Sequence, residues 1–160
     1  MGSFQIFGLQ FLVSFVVYAL IARWYLMQRL AALPLRDALQ PLLLLHSLRT
    51  LGMTLLVPAV VSSEVPRQFA VQLAYGDLLA AGLALLSLAA LRARAGFAIA
   101  LVWIFNIEGF LDLLNAFYLG VRYDVTRYQL GAAWYIPTYV VPALLVTHLI
   151  IFSMLARRKR

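Results

Sequence analysis

Five long apolar runs follow one another along the chain and predict five helices. They cover approximately residues 4–27, 38–61, 69–91, 96–119 and 133–156. Each run is close to the ~20 residues that an α-helix needs to cross ~30 Å of hydrocarbon. Short connections that contain proline, glycine or charged residues separate the runs. The pattern predicts an all-α integral membrane protein, a five-helix transmembrane bundle that forms a single transmembrane domain over residues 1–160.

The composition favours a lipid environment and excludes several kinds of site. Of the 160 residues, 64% are hydrophobic and 12% are charged, which is unlike an ordinary soluble domain. Cysteine is absent, so disulfides, zinc–thiolate sites and iron–sulfur clusters are excluded. The single lysine, Lys159, lies in the C-terminal tail, which excludes a retinal Schiff base within the membrane. No metalloprotease, P-loop, serine hydrolase or dinucleotide-binding motif occurs.

The net charge of +7 comes mostly from basic residues at the ends of the apolar runs. We therefore expect the lipid bilayer as the partner and no binding to nucleic acid. Nine basic residues lie on one side of the predicted bundle and three on the other: Arg23, Arg29, Arg36, Arg92, Arg94, Arg157, Arg158, Lys159 and Arg160 against Arg67, Arg122 and Arg127. The positive-inside rule places the N-terminus outside and the C-terminus in the cytoplasm. The predicted location is a membrane crossed several times, namely a bacterial inner membrane.

Polar residues inside the apolar runs fall at matching depths on different helices. His46 and His148 both lie ~12 Å from the cytoplasmic ends of the second and fifth predicted helices. Asp77 and Asp112 both lie ~10 Å from the outer surface, on the third and fourth helices. Residues that share a level can meet if their helices turn them towards one another, so both pairs are candidates for contact.

Acidic and amide side chains interrupt the fourth run on one predicted face. At about 100° per residue, Glu108, Asp112 and Asn115 fall within about 60° of one another, whereas Asn106 points to the opposite side. Insertion of a charged residue at the centre of a membrane helix costs roughly 2.5 to 3.5 kcal/mol, so such residues usually face the bundle interior and mark a site. We place Glu108 and Asp112 in the interior opposite Arg49, and we predict that Glu108 pairs with Arg49, because both lie near the midplane.

The second and third predicted helices each show a second pattern. His46, Arg49, Thr50 and Met53 follow the i, i+3, i+4, i+7 spacing and predict one polar face on the second helix.

In the third helix, Gly76, Ala80 and Ala84 have the spacing of small residues that lets membrane helices approach closely. Because five short helices enclose little volume, we expect a homo-oligomer, most simply a dimer that packs through this small-residue face.

The predicted site consists of the polar residues placed inside the bundle: Arg49, Asp77, Glu108, Asp112, Asn115, His46 and His148. One arginine cannot neutralise three carboxylates, so at least one acid is expected to be protonated, to face water or to bind a cation. The sequence therefore predicts a small membrane protein that binds or translocates a small molecule or protons. A mixed histidine and carboxylate metal site is not expected, because the histidines and the paired aspartates lie at different depths.

Four alternatives remain open at this level. His46 and His148 are spaced to ligate a b-type haem between two helices, with Arg49 beside a propionate, which would make the protein an electron carrier. A membrane enzyme that acts on a lipid-soluble substrate would use Glu108 or Asp112 as a general acid. The Arg49 ion pair would equally serve to fix helix register without any chemistry. A non-catalytic subunit of a larger complex would need none of these sites.

Overall fold

The computed structural model describes residues 1–157 and places them in five helices. These are α1 (Ser3–Ala31), α2 (an α-helix over Leu35–Ser47 that continues as a 3-10 helix over Leu48–Leu56), α3 (Arg67–Arg92), α4 (Ala98–Arg122) and α5 (Gly131–Arg157). Within this range no strand is present, and the all-α prediction is confirmed. The basic tail residues Arg158, Lys159 and Arg160 lie outside the described residues.

Four of the helices, α1, α3, α4 and α5, are long and apolar enough to cross a membrane, with mean hydropathies of 1.5 to 2.1. The second helix is not among them. It ends at Leu56 rather than near residue 61, because Val57 precedes Pro58 and takes an extended conformation. A residue before proline is disfavoured in the helical region by a clash with the proline ring.

Helix α3 lies at the centre of the bundle between α2 and α4, and α5 packs against α4 and α2. Helix α1 lies at the periphery against α5. Only 6% of the residues in its most apolar stretch are buried, so most of its apolar side chains face away from the protein. Helix α5 begins with a 3-10 turn and a π-helical turn over Ile136–Val140, next to Pro137 and Pro142, whose missing N–H groups interrupt the regular ladder.

The small-residue face of α3 is used inside the chain. Ala80 and Ala84 are both fully buried, and a Cβ on Gly76 would overlap the carboxylate of Asp112 on α4. The prediction of a dimer interface on this face is wrong, because the neighbouring helices of the same chain already occupy it. The homo-oligomer itself stays a prediction.

The two ends of the bundle differ. The cavity end contains the first residues of α1 and α3, the last turn of α4 and the start of α5. The tail end contains the end of α1, the start of α2, the connection between α3 and α4, and Arg157. The half towards the tail end has a close-packed core whose largest fully buried side chains are Leu39, Leu43, Leu91, Phe105 and Ile151. Close packing of this kind leaves little free space.

Candidate functional site

Arg49 is the centre of a charged cluster between α2, α3 and α4. Its Nε donates to Asp77 Oδ1 at 2.7 Å, its Nη2 donates to Asp112 Oδ2 at 2.5 Å, and its Nη1 donates to the carbonyl oxygen of Gly109 at 3.0 Å. All three guanidinium nitrogens therefore have a partner, which is the arrangement that a buried charge requires. We call Arg49, Asp77 and Asp112 the charged triad.

Three glycines make room for the triad. A Cβ on Gly52 would overlap Asp77, and a Cβ on Gly76 would overlap Asp112. A Cβ on Gly109 would lie 2.9 Å from Arg49 Nη1 and 2.9 Å from His148 Cε1. A glycine on each of the three helices thus lets charged side chains lie directly against the backbone of a neighbouring helix.

The 3-10 segment of α2 decides which side chains point inwards. Residues three apart lie above one another in a 3-10 helix, so His46, Arg49 and Gly52 form one buried line. Thr50 was predicted on the same face, but it is exposed. The prediction for Thr50 is wrong because it used the α-helical rotation of about 100° per residue, whereas the 3-10 segment turns by about 120°.

On α4 the interior face is centred on Gly109, which is buried. At about 100° per residue, Asp112 lies about 60° to one side of Gly109 and Asn106 about 60° to the other. Both therefore reach the interior, and Asn106 is fully buried. Asn115 lies further round the helix and is exposed, so the prediction that Asn115 belongs to the interior site is wrong.

Glu108 does not pair with Arg49. Arg49 forms ion pairs with Asp77 and Asp112 instead. The predicted Arg49–Glu108 pair is therefore wrong. Glu108 is half-buried one turn from Asp112, and its Oε2 is buried without a hydrogen-bond partner among the described residues. The cluster therefore contains three carboxyl groups around one guanidinium, and the third carboxyl group has no cation of its own there.

His46 and His148 meet on the tail-end side of the triad, with ring centroids 4.1 Å apart. His148 Nδ1 donates to Asn106 Oδ1 at 2.7 Å, because the Asn106 amide nitrogen already donates to the His148 carbonyl oxygen. The Thr147 hydroxyl donates to backbone carbonyls, so His46 Nε2 donates to Thr147 Oγ1 at 3.0 Å. These assignments leave His46 Nδ1 and His148 Nε2 as acceptors without partners in residues 1–157.

The two imidazoles do not fit a haem. An iron porphyrin would have to lie between the two rings, but the rings contact each other directly and both residues are fully buried. Phe105 packs against both rings, with centroid distances of 5.1 and 5.5 Å. A macrocycle would need several ångströms of additional separation on these helices, since non-bonded carbon atoms already touch at about 3.5 to 4.0 Å.

A cavity of about 210 Å³ opens from the triad towards the cavity end. Its wall is mainly apolar and includes five aromatic residues: Phe4, Phe7, Phe11, Phe69 and Phe117. The charged residues that line it are Asp77, Asp112 and Asp124, and among the described residues no basic side chain lines it. The side chains of Asp77 and Asp112 are 16% and 14% exposed, whereas that of Arg49 is 0% exposed. The triad thus presents its carboxylates to the cavity and hides its guanidinium.

Helix α1 closes one side of the cavity through a small set of contacts. Trp134 Nε1 donates to Gln10 Oε1 at 2.7 Å, and the Trp134 ring meets Phe7 edge to face at 5.5 Å. Phe11 meets Phe117 of α4 in the same manner at 4.7 Å. Because the rest of α1 is mostly exposed, these aromatic contacts hold its first half against the bundle.

The comparison with protein-family models gives one match. The family described as a domain of unknown function (DUF8737) matches residues 6–156. The chain belongs to this family. The matched region contains the triad, both histidines and nearly all of the cavity wall, so the site belongs to the part of the chain that defines the family. No curated protein and no solved structure matches the chain.

The prediction from sequence missed Asn106, Gly52 and Gly109, and it named Gly76 only as a helix-packing residue. The glycines carried a usable signal, because Gly52 follows Arg49 at a spacing of three and Gly109 sits at the centre of the apolar face of α4. The helical rotation correctly predicts that Asn106 points away from the acids of α4. The error lay in the assumption that the acids mark the middle of the buried face, when they lie at its edge.

Proposed function

We propose that this DUF8737 chain is a five-helix membrane protein that binds a small amphipathic organic cation in the cavity beside the charged triad. The observation that carries the proposal is the lining of the cavity, which combines an apolar aromatic wall with carboxylates and lacks a basic side chain among the described residues.

The membrane assignment rests on four long apolar helices and on the length of the fifth. In α2, 13 α-helical and nine 3-10 residues give about 38 Å of rise, which exceeds the ~30 Å of a hydrocarbon core. We propose that α2 is the fifth crossing, with Arg49 enclosed by α3 and α4. The asymmetry of arginine and lysine favours an outer N-terminus and a cytoplasmic C-terminus, which would open the cavity to the outer side.

The wall favours a ligand with an apolar body and a compact positive group. Aromatic rings attract cations through their negative faces, and the attraction strengthens where water is excluded. The carboxylates of Asp77 and Asp112 at the inner end of the cavity supply the complementary charge. A ligand anion would meet three carboxylates along this wall and, among the described residues, no basic side chain that lines it. The guanidinium of Arg49 is hidden behind Asp77 and Asp112, and Arg127, which pairs with Asp124, points mostly to the outside.

The charge balance of the cluster points in the same direction. Arg49 neutralises one negative charge, while Asp77, Asp112 and Glu108 carry three when all are ionised. Uncompensated charge in a membrane interior is costly, so bound protons or a bound cation must supply the remainder. A cation in the cavity would supply it to the exposed sides of Asp77 and Asp112.

The test uses three water-soluble probes with one benzyl body and different head groups: benzyltrimethylammonium, the neutral benzyldimethylamine N-oxide and the anionic phenylmethanesulfonate. Binding to the full-length protein in detergent is measured by saturation-transfer NMR titration. We expect the cation to bind about tenfold more tightly than the N-oxide and the anion not to bind. Equal binding of the N-oxide would contradict a cation site, and stronger binding of the anion would contradict it outright.

The location is tested with a pair of variants on α4. Ala116 lines the cavity and Ala100 is exposed on the same helix. Ala116→Phe should fill the cavity and remove benzyltrimethylammonium binding, and Ala100→Phe should leave it unchanged. Unaltered binding in Ala116→Phe would place the probe in the micelle or elsewhere on the protein, and the cavity would then lose its assigned role.

The charge requirement is tested at the mouth of the cavity as well as at the triad. Asp112→Asn should weaken benzyltrimethylammonium binding strongly, but it also alters the triad. Asp124 lines the cavity outside the triad and has φ +47°, a conformation that asparagine tolerates well. Asp124 also pairs with Arg127, but both side chains are exposed, so loss of this ion pair costs little stability. Asp124→Asn should therefore fold normally and weaken binding a few-fold, whereas Asp37→Asn, at an exposed residue outside the cavity, should have no effect.

A second candidate function is proton-coupled movement of the same cation. It is favoured by three buried atoms without hydrogen-bond partners among the described residues: Glu108 Oε2, His148 Nε2 and His46 Nδ1. Groups that can take up and release protons mark proton paths in membrane bundles. In proteoliposomes that contain a pH dye, a benzyltrimethylammonium gradient should then move protons, and His148→Phe should stop this without loss of binding. An unchanged internal pH in the parent protein would leave binding alone as the function.

A further inference from the structure

A groove of about 710 Å³ lies at the tail end, far from the cavity, between the start of α2, the end of α3 and the start of α4. Three arginines line it: Arg36, Arg92 and Arg94. Apolar side chains, among them the partly exposed Leu35 and Ile99, form another part of the wall. The groove combines basic side chains with an apolar wall, which matches an amphipathic anion. The cavity has acidic side chains instead and therefore suits a ligand of the opposite charge.

The positive charges of the groove are largely uncompensated. The acid beside them, Asp37, already accepts a hydrogen bond from Gln40 Nε2 at 3.2 Å. Arg36 Nη2 donates to the Ala95 carbonyl oxygen at 3.3 Å, which holds the guanidinium against the connection between α3 and α4. Its Nη1 is buried without a hydrogen-bond partner among the described residues. An arginine held in place in this way is well suited to hold an anion through its accessible N–H groups, because little side-chain freedom remains to be lost.

Two helices also begin at this groove. The first-turn residue Arg36 of α2 and the first-turn residue Ile99 of α4 line it, and neither helix has a side-chain N-cap. The first N–H groups of a helix lack intrahelical partners and carry partial positive charge. The start of α4, which has no acidic residue in its first turn, therefore adds to the attraction for an anion that the three arginines provide, whereas Asp37 in the first turn of α2 offsets that helix end.

We propose that this groove binds the phosphate headgroup of an anionic phospholipid, with the first part of an acyl chain against the partly exposed Leu35 and Ile99. Arginine side chains recognise phosphate through paired N–H donors, and basic pockets between membrane helices hold anionic headgroups. The apolar flank favours a lipid over a soluble phosphate, which would leave Leu35 and Ile99 uncovered. This proposal does not depend on the cavity or on its ligand.

The test removes two groove charges and compares the result with removal of two charges at the same end. Arg92→Gln combined with Arg94→Asn is the groove variant, since Arg94 has φ +54° and asparagine is compatible with that conformation. Arg23→Gln combined with Arg29→Gln in α1 is the control, because both residues lie near the tail end outside the groove. Native mass spectrometry of the full-length protein gives the dissociation constants for phosphatidylglycerol and phosphatidylcholine, and thermal unfolding gives the response to inorganic phosphate.

We expect phosphatidylglycerol to bind the parent protein at least about tenfold more tightly than phosphatidylcholine, and we expect the groove variant to lose about tenfold of that affinity. The control variant should retain it. Equal losses in the two variants would overturn the proposal, because general surface charge would then explain the binding. A thermal shift by inorganic phosphate as large as that by phosphatidylglycerol would overturn the lipid assignment.

Discussion

On the cavity-end side of Arg49 the bundle is open and lined with aromatic rings, whereas on the tail-end side it is closely packed around two imidazoles. Both sides contain polar groups that are expensive to bury. In the closed half, one ring nitrogen of His148 is hydrogen-bonded to Asn106 and one ring nitrogen of His46 to Thr147. In the open half, Asp77 and Asp112 share one arginine and keep part of their surface exposed to the cavity.

The two halves differ in how their buried polar groups are hydrogen-bonded or neutralised. In the closed half, uncharged hydrogen-bond partners from the same chain satisfy one nitrogen of each imidazole, so no net charge is required there. In the open half, the chain supplies fewer positive charges than negative ones and leaves a space next to the deficit. Packing therefore separates a region whose polar groups pair within the chain from a region where the proposed ligand would complete the charge balance.

The largest expected effect comes from removal of Arg49, which lies at the boundary between the two halves. Arg49→Leu leaves Asp77 and Asp112 without their common donor, and loss of one partner of a buried pair costs on the order of 3 to 5 kcal/mol in soluble proteins. We expect a large fall in the unfolding temperature in detergent. Asp112→Asn added to Arg49→Leu should recover part of the loss, whereas Glu108→Gln should recover little. Full stability of Arg49→Leu would show that the triad is not what joins α2, α3 and α4.

The next effect tests the close approach of α3 and α4. Gly76→Ala should lower stability by about 1 to 3 kcal/mol, because its Cβ would overlap the Asp112 carboxylate. Gly82 lies on the same helix with no atom within 4 Å of a built Cβ, so Gly82→Ala should be neutral or stabilising by up to about 1 kcal/mol. Thermal unfolding in one detergent compares the two variants. Equal effects would mean that helix propensity, and not clearance for Asp112, determines the result.

A smaller effect is expected in the closed half. Asn106→Leu leaves the His148 Nδ1 donor buried without its acceptor, which should cost about 1 to 2 kcal/mol. Asn115→Leu, on the exposed side of the same helix, should change stability by less than about 0.5 kcal/mol. If both variants unfold at the temperature of the parent protein, the Asn106–His148 hydrogen bond contributes nothing measurable to the closed half.

The smallest effect concerns the wall between the cavity and the surroundings. Trp134→Phe removes the hydrogen bond to Gln10 and should cost about 1 kcal/mol. Its clearer signature is faster amide hydrogen exchange in the first half of α1, while the second half stays unchanged. Trp24→Phe, at an exposed position of α1, is the matched control. Uniform exchange along α1 in Trp134→Phe would contradict a local attachment through Trp134.

The sequence by itself determined the class of the protein and much of its inventory of polar groups. Hydropathy and helical length are local properties, so five apolar runs were sufficient to predict an all-helical chain, and four of them lie in helices that could cross a membrane. Matching depths along the helices also indicated that His46 could meet His148 and that Asp77 could lie level with Asp112, because rise per residue is nearly constant.

Only the tertiary structure decided which of these groups interact. The partners of Arg49 depend on the rotation of three helices about their axes, and a change from α to 3-10 geometry within α2 shifted that rotation for Arg49 and Gly52. Arg49 pairs with Asp112 rather than with Glu108 because Gly76 leaves room for the Asp112 carboxylate and Gly109 leaves room for the Arg49 guanidinium. These two glycines lie on different helices. The cavity likewise forms where side chains from all five helices fail to fill a shared space. Packing is non-local, and residues distant in the sequence set it together.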